Sequence, residues 1–189
     1  MMRHVILILT LAISVLPSLA QIGHNLGDGA EWTIGIQAVY GTRDNRPGVG
    51  IHFKTQYLDS WRSTVSGNYY FKKGGVCCYD VNLEGNYIFD LSDKVRLYPL
   101  AGGRLAFWHA DDVEIGGWHF DHDDKTHHEI GFNLGGGIDY LLDDHWGVNA
   151  EVKYQYLKNA SQLLFVAGVG FRFLLMSIYQ ILINQKKQQ

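Results

Sequence analysis

Residues Trp146 to Phe173, WGVNAEVKYQYLKNASQLLFVAGVGFRF, hold two alternating runs, the second ending on a phenylalanine. In the first, Trp146, Val148, Ala150, Val152, Tyr154 and Tyr156 share one face, and Gly147, Asn149, Glu151, Lys153 and Gln155 share the other. A period of two over that length specifies a strand with two chemically different sides. The second run repeats it less cleanly, with Leu163, Phe165, Ala167, Val169, Phe171 and Phe173 opposing Gln162, Leu164, Val166, Gly168, Gly170 and Arg172. Each run is about as long as a tilted strand needs to cross a bilayer, ~9–11 residues. Which face meets lipid then decides the fold.

The amino terminus indicates export. Arg3 and His4 precede a largely apolar run from Val5 to Leu16, and Pro17-Ser18-Leu19-Ala20 leads into the polar Gln21. A basic start, an apolar stretch of roughly 7–15 residues and a small-residue exit form a secretory signal. Residues 1–20 are therefore expected to be removed, and 21–31 to form a periplasmic lead-in. The apolar run is short of the ~20 residues of a spanning helix. No cysteine immediately follows the cleavage site, which argues against a lipid anchor.

Composition supports a β protein: 22 Gly, 11 Tyr and 5 Trp against only 3 Pro in 189 residues. A mean hydropathy of -0.09 excludes a helical membrane bundle and suits strands that are half polar. The net charge of -3 comes with no basic stripe, so no nucleic-acid partner is expected. The only cysteines, Cys77 and Cys78, are adjacent and should point to opposite faces of a strand, which excludes a disulfide scaffold. A strained bond between these neighbours is the alternative.

The same reading gives eight strands, near Trp32–Gly41, Val49–Tyr57, Trp61–Phe71, Cys78–Phe89, Val95–Trp108, His128–Leu141, Trp146–Leu157 and Gln162–Phe173. An even number fits an all-β, eight-stranded antiparallel up-and-down transmembrane barrel over residues 32–173. Connections at Leu58–Ser60, Asp90–Lys94 and Leu142–His145 are short; those at Thr42–Pro47, Lys72–Val76, His109–His127 and Lys158–Ser161 include one long excursion. Short periplasmic turns and longer external loops are expected of such a barrel. Aromatic residues gather at both levels: Trp61, Tyr87, Trp146 and Phe171 at the short-turn end, Tyr69, Tyr79, Phe107 and Tyr156 at the other. Rings with a polar edge settle at the two headgroup regions.

The opposite face carries His52, Lys54, Arg62, Asn68, Asp80, Asn82, Glu84, Asn86, Arg96, Arg104, Glu129, Asn133, Asp139, Asn149, Glu151, Lys153 and Arg172. Eight strands enclose a space just wide enough for side chains to fill. Buried charges there must pair, so a plugged interior and no open channel are expected. The inverted alternative is a secreted soluble barrel with its apolar face around a small ligand. The aromatic girdles, the strand-terminal phenylalanine and a polar face rich in Gly and Asn favour the membrane version.

Val95-Arg96-Leu97-Tyr98-Pro99-Leu100-Ala101-Gly102-Gly103-Arg104-Leu105, then Gly135-Gly136-Gly137-Ile138-Asp139-Tyr140 and the closing Gly168-Val169-Gly170-Phe171-Arg172-Phe173, resemble the porin-like outer membrane β-barrel domain family, related in architecture to OmpA and OmpX barrels. The resemblance covers about Trp32 to Phe173 and implies a Gram-negative outer-membrane protein, often without a biochemical activity. It also implies outer-membrane lipid and the barrel-assembly machinery as partners, the latter through a closing strand with Gly168, Phe171 and Phe173. The chain departs from the family pattern in continuing past Phe173.

The long excursion is dense in potential ligands: His109, Asp111, Asp112, Glu114, His119, Asp121, His122, Asp123, Asp124, His127 and His128. Imidazoles and carboxylates bind zinc, and clustered aspartates attract calcium. None shows the spacing of a fixed site, so the segment reads as a solvated external loop, 109–127, through which an extracellular ligand would be met; no metal or other cofactor is expected. Some barrels of this size modify lipid A, but acyl transfer needs a nucleophile beside an oriented histidine. His128 and Glu129 should face opposite ways, and Ser161 has no histidine that the sequence sets beside it. No catalytic residue is expected, and a structural or surface-interaction role follows. The tail, residues 174–189, combines Leu174, Ile178, Ile181 and Leu182 at helical spacing with Lys186 and Lys187, as an interfacial helix would.

Overall fold

The computed structural model describes residues 31–73, 76–110, 127–157 and 161–174. The expected signal, most of the lead-in, the heart of the histidine-rich loop and the tail after Leu174 lie outside them. Nine ladder segments occur: β1 Glu31–Gly41, β2 Arg46–Leu58, β3 Trp61–Lys73, β4 Val76–Tyr87, β5 Phe89–Ser92, β6 Val95–Ala110, β7 His127–Leu141, β8 Trp146–Tyr156 and β9 Gln162–Leu174. Sequential neighbours pair antiparallel except β4 and β5, which both pair with β6, and β1 pairs with β9, so the sheet closes.

β4 and β5 are one strand. Asn86 faces Leu100 and Phe89 faces Leu97 in unchanged register, with Ile88 unpaired between them. The gap lies against Tyr98-Pro99, and proline has no N–H to contribute to a ladder. Ile88 instead donates its N–H to the Ser60 carbonyl at 2.7 Å. The barrel is therefore eight-stranded, with each expected strand present and most ends moved outward by one to three residues.

Register fixes the tilt. From Glu31 the paired residues run through Gln56, Arg62, Asn86, Leu100, Gly135, Lys153 and Leu164, and return to β1 at Gly41, ten residues along. A stagger of that size requires strands inclined by about 35–45°. It also brings residues far apart in sequence to one level of the lumen.

The faces are as the alternation requires. Ile34, Ile36, Ile51, Leu83, Ile130, Leu134, Val152 and Phe165 are exposed on the outside. Lys54, Arg62, Asp80, Glu84, Arg104, Asp139, Glu151 and Lys153 are buried within. An exposed apolar belt around a charged core is the inverse of a soluble protein, and it is stable only with lipid outside. Ring pairs mark both rims: Trp61–Tyr87 at 5.2 Å and Trp146–Phe171 at 5.3 Å at one, Tyr79–Phe107 at 5.0 Å and Phe132–Tyr156 at 4.9 Å at the other.

The connections differ from expectation in one respect. Residues 59–60, 93–94 and 142–145 make the short turns, but at the opposite end residues 42–45 and 74–75 are no longer. β2 begins at Arg46 rather than Val49, and β3 and β4 extend to Lys73 and from Val76. The turn at 42–45 is tight because Asn45 adopts a positive φ of 46°, a conformation asparagine tolerates, and accepts a hydrogen bond from the Tyr40 hydroxyl at 3.0 Å. In the turn at 142–145, the Asp143 carboxylate accepts the N–H groups of His145 and Trp146, both at 2.7 Å, which holds it below the usual carboxylate range.

Val152 lies at mid-strand on the outer face, opposite Gly136 and Phe165. Val152→Arg should destabilise the barrel by about 2–4 kcal/mol in folding titrations in lipid. A neutral result would mean that the strands face the other way.

Candidate functional site

Alternation along β3, β4, β6, β7 and β8 aims charged side chains at the axis, and the stagger decides which of them meet. Asp80 of β4 is one centre. Its Oδ1 accepts Asn68 and Asn82, each at 2.8 Å, and its Oδ2 accepts the Tyr70 hydroxyl at 2.8 Å and Arg104 through Nε at 3.0 Å and Nη2 at 2.8 Å. Five donors on one carboxylate leave it fully satisfied, the condition for burying a charge.

The second centre surrounds Tyr98 of β6. Its hydroxyl lies 2.8 Å from Glu151 and 3.2 Å from Asp139, and the Arg62 guanidinium stacks 4.4 Å from its ring centroid. Arg62 and Lys54 both pair with Asp139, the latter at 3.3 Å. Lys153 joins Glu151 at 2.8 Å to Glu84 at 2.7 Å, and Asn133 links Glu84 to Asn82. The two centres are thus one network, in which four buried cations meet four buried carboxylates.

Inward glycines give this network its room. A Cβ on Gly137 would lie 2.7 Å from the Tyr98 hydroxyl and 2.8 Å from Glu151. One on Gly35 would lie 2.4 Å from the His52 imidazole, which is held by Gln37 at 3.1 Å. At the short-turn end Glu31 ties Arg96 at 3.2 Å to Arg172 at 3.3 Å, bracing β1, β6 and β9 across the lumen. The cavity between this brace and the Tyr98 centre measures about 30 Å³, room for no more than a few waters.

Among the described residues, the opposite end is open. A vestibule of about 260 Å³ is walled by Arg43, Arg46, Arg104, Glu129, Trp108 and Gln162, among others. Among the residues weighed for chemistry, His128 is exposed on the outer face and Glu129 lines this vestibule, so the two do not form a pair. Ser161 donates its hydroxyl to the Leu157 carbonyl at 3.0 Å. His109 and His127 belong to the β6 and β7 ladders, and residues 111–126 fall outside the described ones. No group of three or more His, Cys, Asp or Glu side chains among the described residues is placed to hold a metal. Cys77 and Cys78 are not joined; Cys78 is buried in the lumen. Sequence reading missed Tyr98 and Arg46 as lumen residues, although Tyr98 shares the parity of Arg96 and Arg104 and was legible on that ground.

A closed barrel with an apolar outside, two aromatic rims and a paired polar interior is a small outer-membrane β-barrel. Residues 13–173 match the outer membrane protein beta-barrel domain, and the chain belongs to that family. The N-terminal β-barrel domain of Pseudomonas aeruginosa OprF is similar in structure, with a TM-score of 0.60 and 18% identity over 77% of this chain and 98% of that one. Ail, the attachment invasion locus protein of Yersinia pestis, solved in complex with the heparin analogue sucrose octasulfate, gives 0.57 and 14% over 77% and 99%. Neisserial surface protein A gives 0.52 and 21% over 77% and 97%. No curated protein matches the sequence significantly. The protein is thus a transmembrane barrel of the bacterial outer membrane.

Lys153 is the cation shared by Glu84 and Glu151, so Lys153→Met strands two buried carboxylates. Unfolding by urea in micelles should show a loss of about 3–5 kcal/mol, partly recovered by adding Glu84→Gln. A loss below about 1 kcal/mol would show that the network carries little of the fold.

Proposed function

We propose that this protein is a non-conducting barrel that works at the cell surface through its outer rim, as a structural or adhesive component. The observation that carries this reading is the paired network around Asp80 and Tyr98, which crosses the lumen with side chains from β2, β3, β4, β6, β7 and β8. Breaking several buried ion pairs to admit solutes costs far more than the paired state, so the interior acts as a plug. In this reading residues 1–20 are removed on export, the short-turn end with its Glu31 brace faces the periplasm, and the vestibule with the 111–126 loop faces outward.

A role without catalysis fits the side chains that would have to supply it. His52 is engaged with Gln37, and Ser161 with backbone. Ail, a protein of similar fold, was solved with a sulfated sugar analogue. A surface role of the same broad kind, in which the outward end meets an external molecule, is the reading we favour here over a lipid A-modifying enzyme or a soluble ligand carrier.

Planar bilayers containing the purified protein should carry little or no steady current at moderate voltage. Large, stable conductance steps would contradict the plug and turn the reading to a channel.

A further inference from the structure

The vestibule presents donors that its own walls do not use. Arg104 spends Nε and Nη2 on Asp80, while its Nη1, on a side chain only 1% exposed, has no hydrogen-bond partner among the described residues. Arg46 directs Nη1 to the Val76 carbonyl at 3.4 Å and meets Asp44 at 3.6 Å through Nη2, leaving Nε buried and unpaired. Both arginines line the same cavity of about 260 Å³, far above the ~10–15 Å³ that seats one water.

The cations Arg43, Arg46 and Arg104 are matched by Asp44 and Glu129 in the lining and by Asp80 on Arg104, so what the walls leave over is donor capacity rather than net charge. Asp80 is the anion nearest Arg104, and its two oxygens are already taken by Asn68, Asn82 and Tyr70 as well as by Arg104. Asp44 is half exposed, so its pull on Arg46 is weak and screened. Glu129 lines the cavity as well, and with Asp44 it is a carboxylate there that would oppose an incoming anion. Unpaired guanidinium N–H groups in a recess are costly unless something accepts from them, and a planar guanidinium suits the spaced oxygens of a tetrahedral anion. Trp108 and Leu157 add an apolar wall beside these donors, which suits the ring carrying such a group.

We infer that the vestibule binds a soluble tetrahedral oxyanion, a sulfate or phosphate group carried by a small molecule or saccharide, held by Arg46 and Arg104. The inference rests on the surface-facing reading above and names the ligand class of its rim. A phosphate on the lipid headgroup region is a different source of the same chemistry, and it lies outside the barrel wall rather than over the lumen.

The test uses the full mature chain folded in uncharged, phosphate-free maltoside micelles, with the Nε resonances of Arg46 and Arg104 followed by nuclear magnetic resonance. Sodium sulfate, sodium phosphate and sucrose octasulfate are titrated against sodium chloride at matched ionic strength, and lipid A in the same micelles forms a separate arm. Saturable shifts of both resonances with the oxyanions and not with chloride are expected, and Arg46→Gln should weaken the affinity at least ten-fold. Equal shifts with chloride, unchanged affinity in Arg46→Gln, or a response to lipid A alone would each overturn the site. The wild-type chloride comparison decides the matter even where the variant does not fold. Absence of binding by a folded, electrically silent preparation removes the site and leaves the plugged-barrel reading intact, whereas steady conductance removes that reading whatever the binding.

Discussion

A strand sheet in hydrocarbon has to close, because every N–H and C=O left unpaired would face a medium that cannot hydrogen-bond it. With eight strands that closure leaves a lumen too narrow for a column of water, so the polar side of each strand must be satisfied by the polar side of the others. The rest of the molecule follows from this demand. It explains why inward charges balance, why Asp80 collects five donors, and why glycine recurs opposite Tyr98 and His52. The tilt set by the ten-residue return from Glu31 to Gly41 brings the partners level.

Facing was legible in the sequence because it is a local property: Val152 and Lys153 are neighbours with opposite environments, and a period of two says so without knowledge of any other strand. Pairing was not, because it depends on stagger. Lys153 and Glu84 lie 69 positions apart, and Arg62 and Asp139 lie 77 apart. Nothing in either segment alone selects those partners. The break at Ile88 was also hidden, since it reflects Pro99 on the adjoining strand rather than any signal in β4. Arg46 was read as part of a loop at 42–47, and only the earlier start of β2 gives it an inward direction. The expectation of longer loops at the outward end rested on one excursion, and the turn at 42–45 is as short as that at 142–145.

The two ends of the lumen differ in kind. At the short-turn end Arg96 and Arg172 are spent on Glu31, and Arg172 also reaches the Asp144 carbonyl, so the floor is braced to the turn that follows β7. At the opposite end the lumen widens into a recess where Arg46 and Arg104 keep donors without a partner among the described residues. Likeness to OprF, Ail and Neisserial surface protein A at 14–21% identity concerns the fold. The chemistry of this rim belongs to the present chain, and function on such a scaffold resides in the groups grafted onto it.

The account depends most on the assignment of inside and outside along each strand. Proton cross-relaxation between lipid acyl chains and side chains of β8, measured in nanodiscs, tests it without altering the protein. Val148, Val152 and Tyr154 should show contacts with acyl methylenes, while Asn149, Lys153 and Gln155 should show none. Acyl contacts at Lys153 and Gln155, with Val152 and Tyr154 silent, would contradict the structure described for every strand, because the shared register turns them all together.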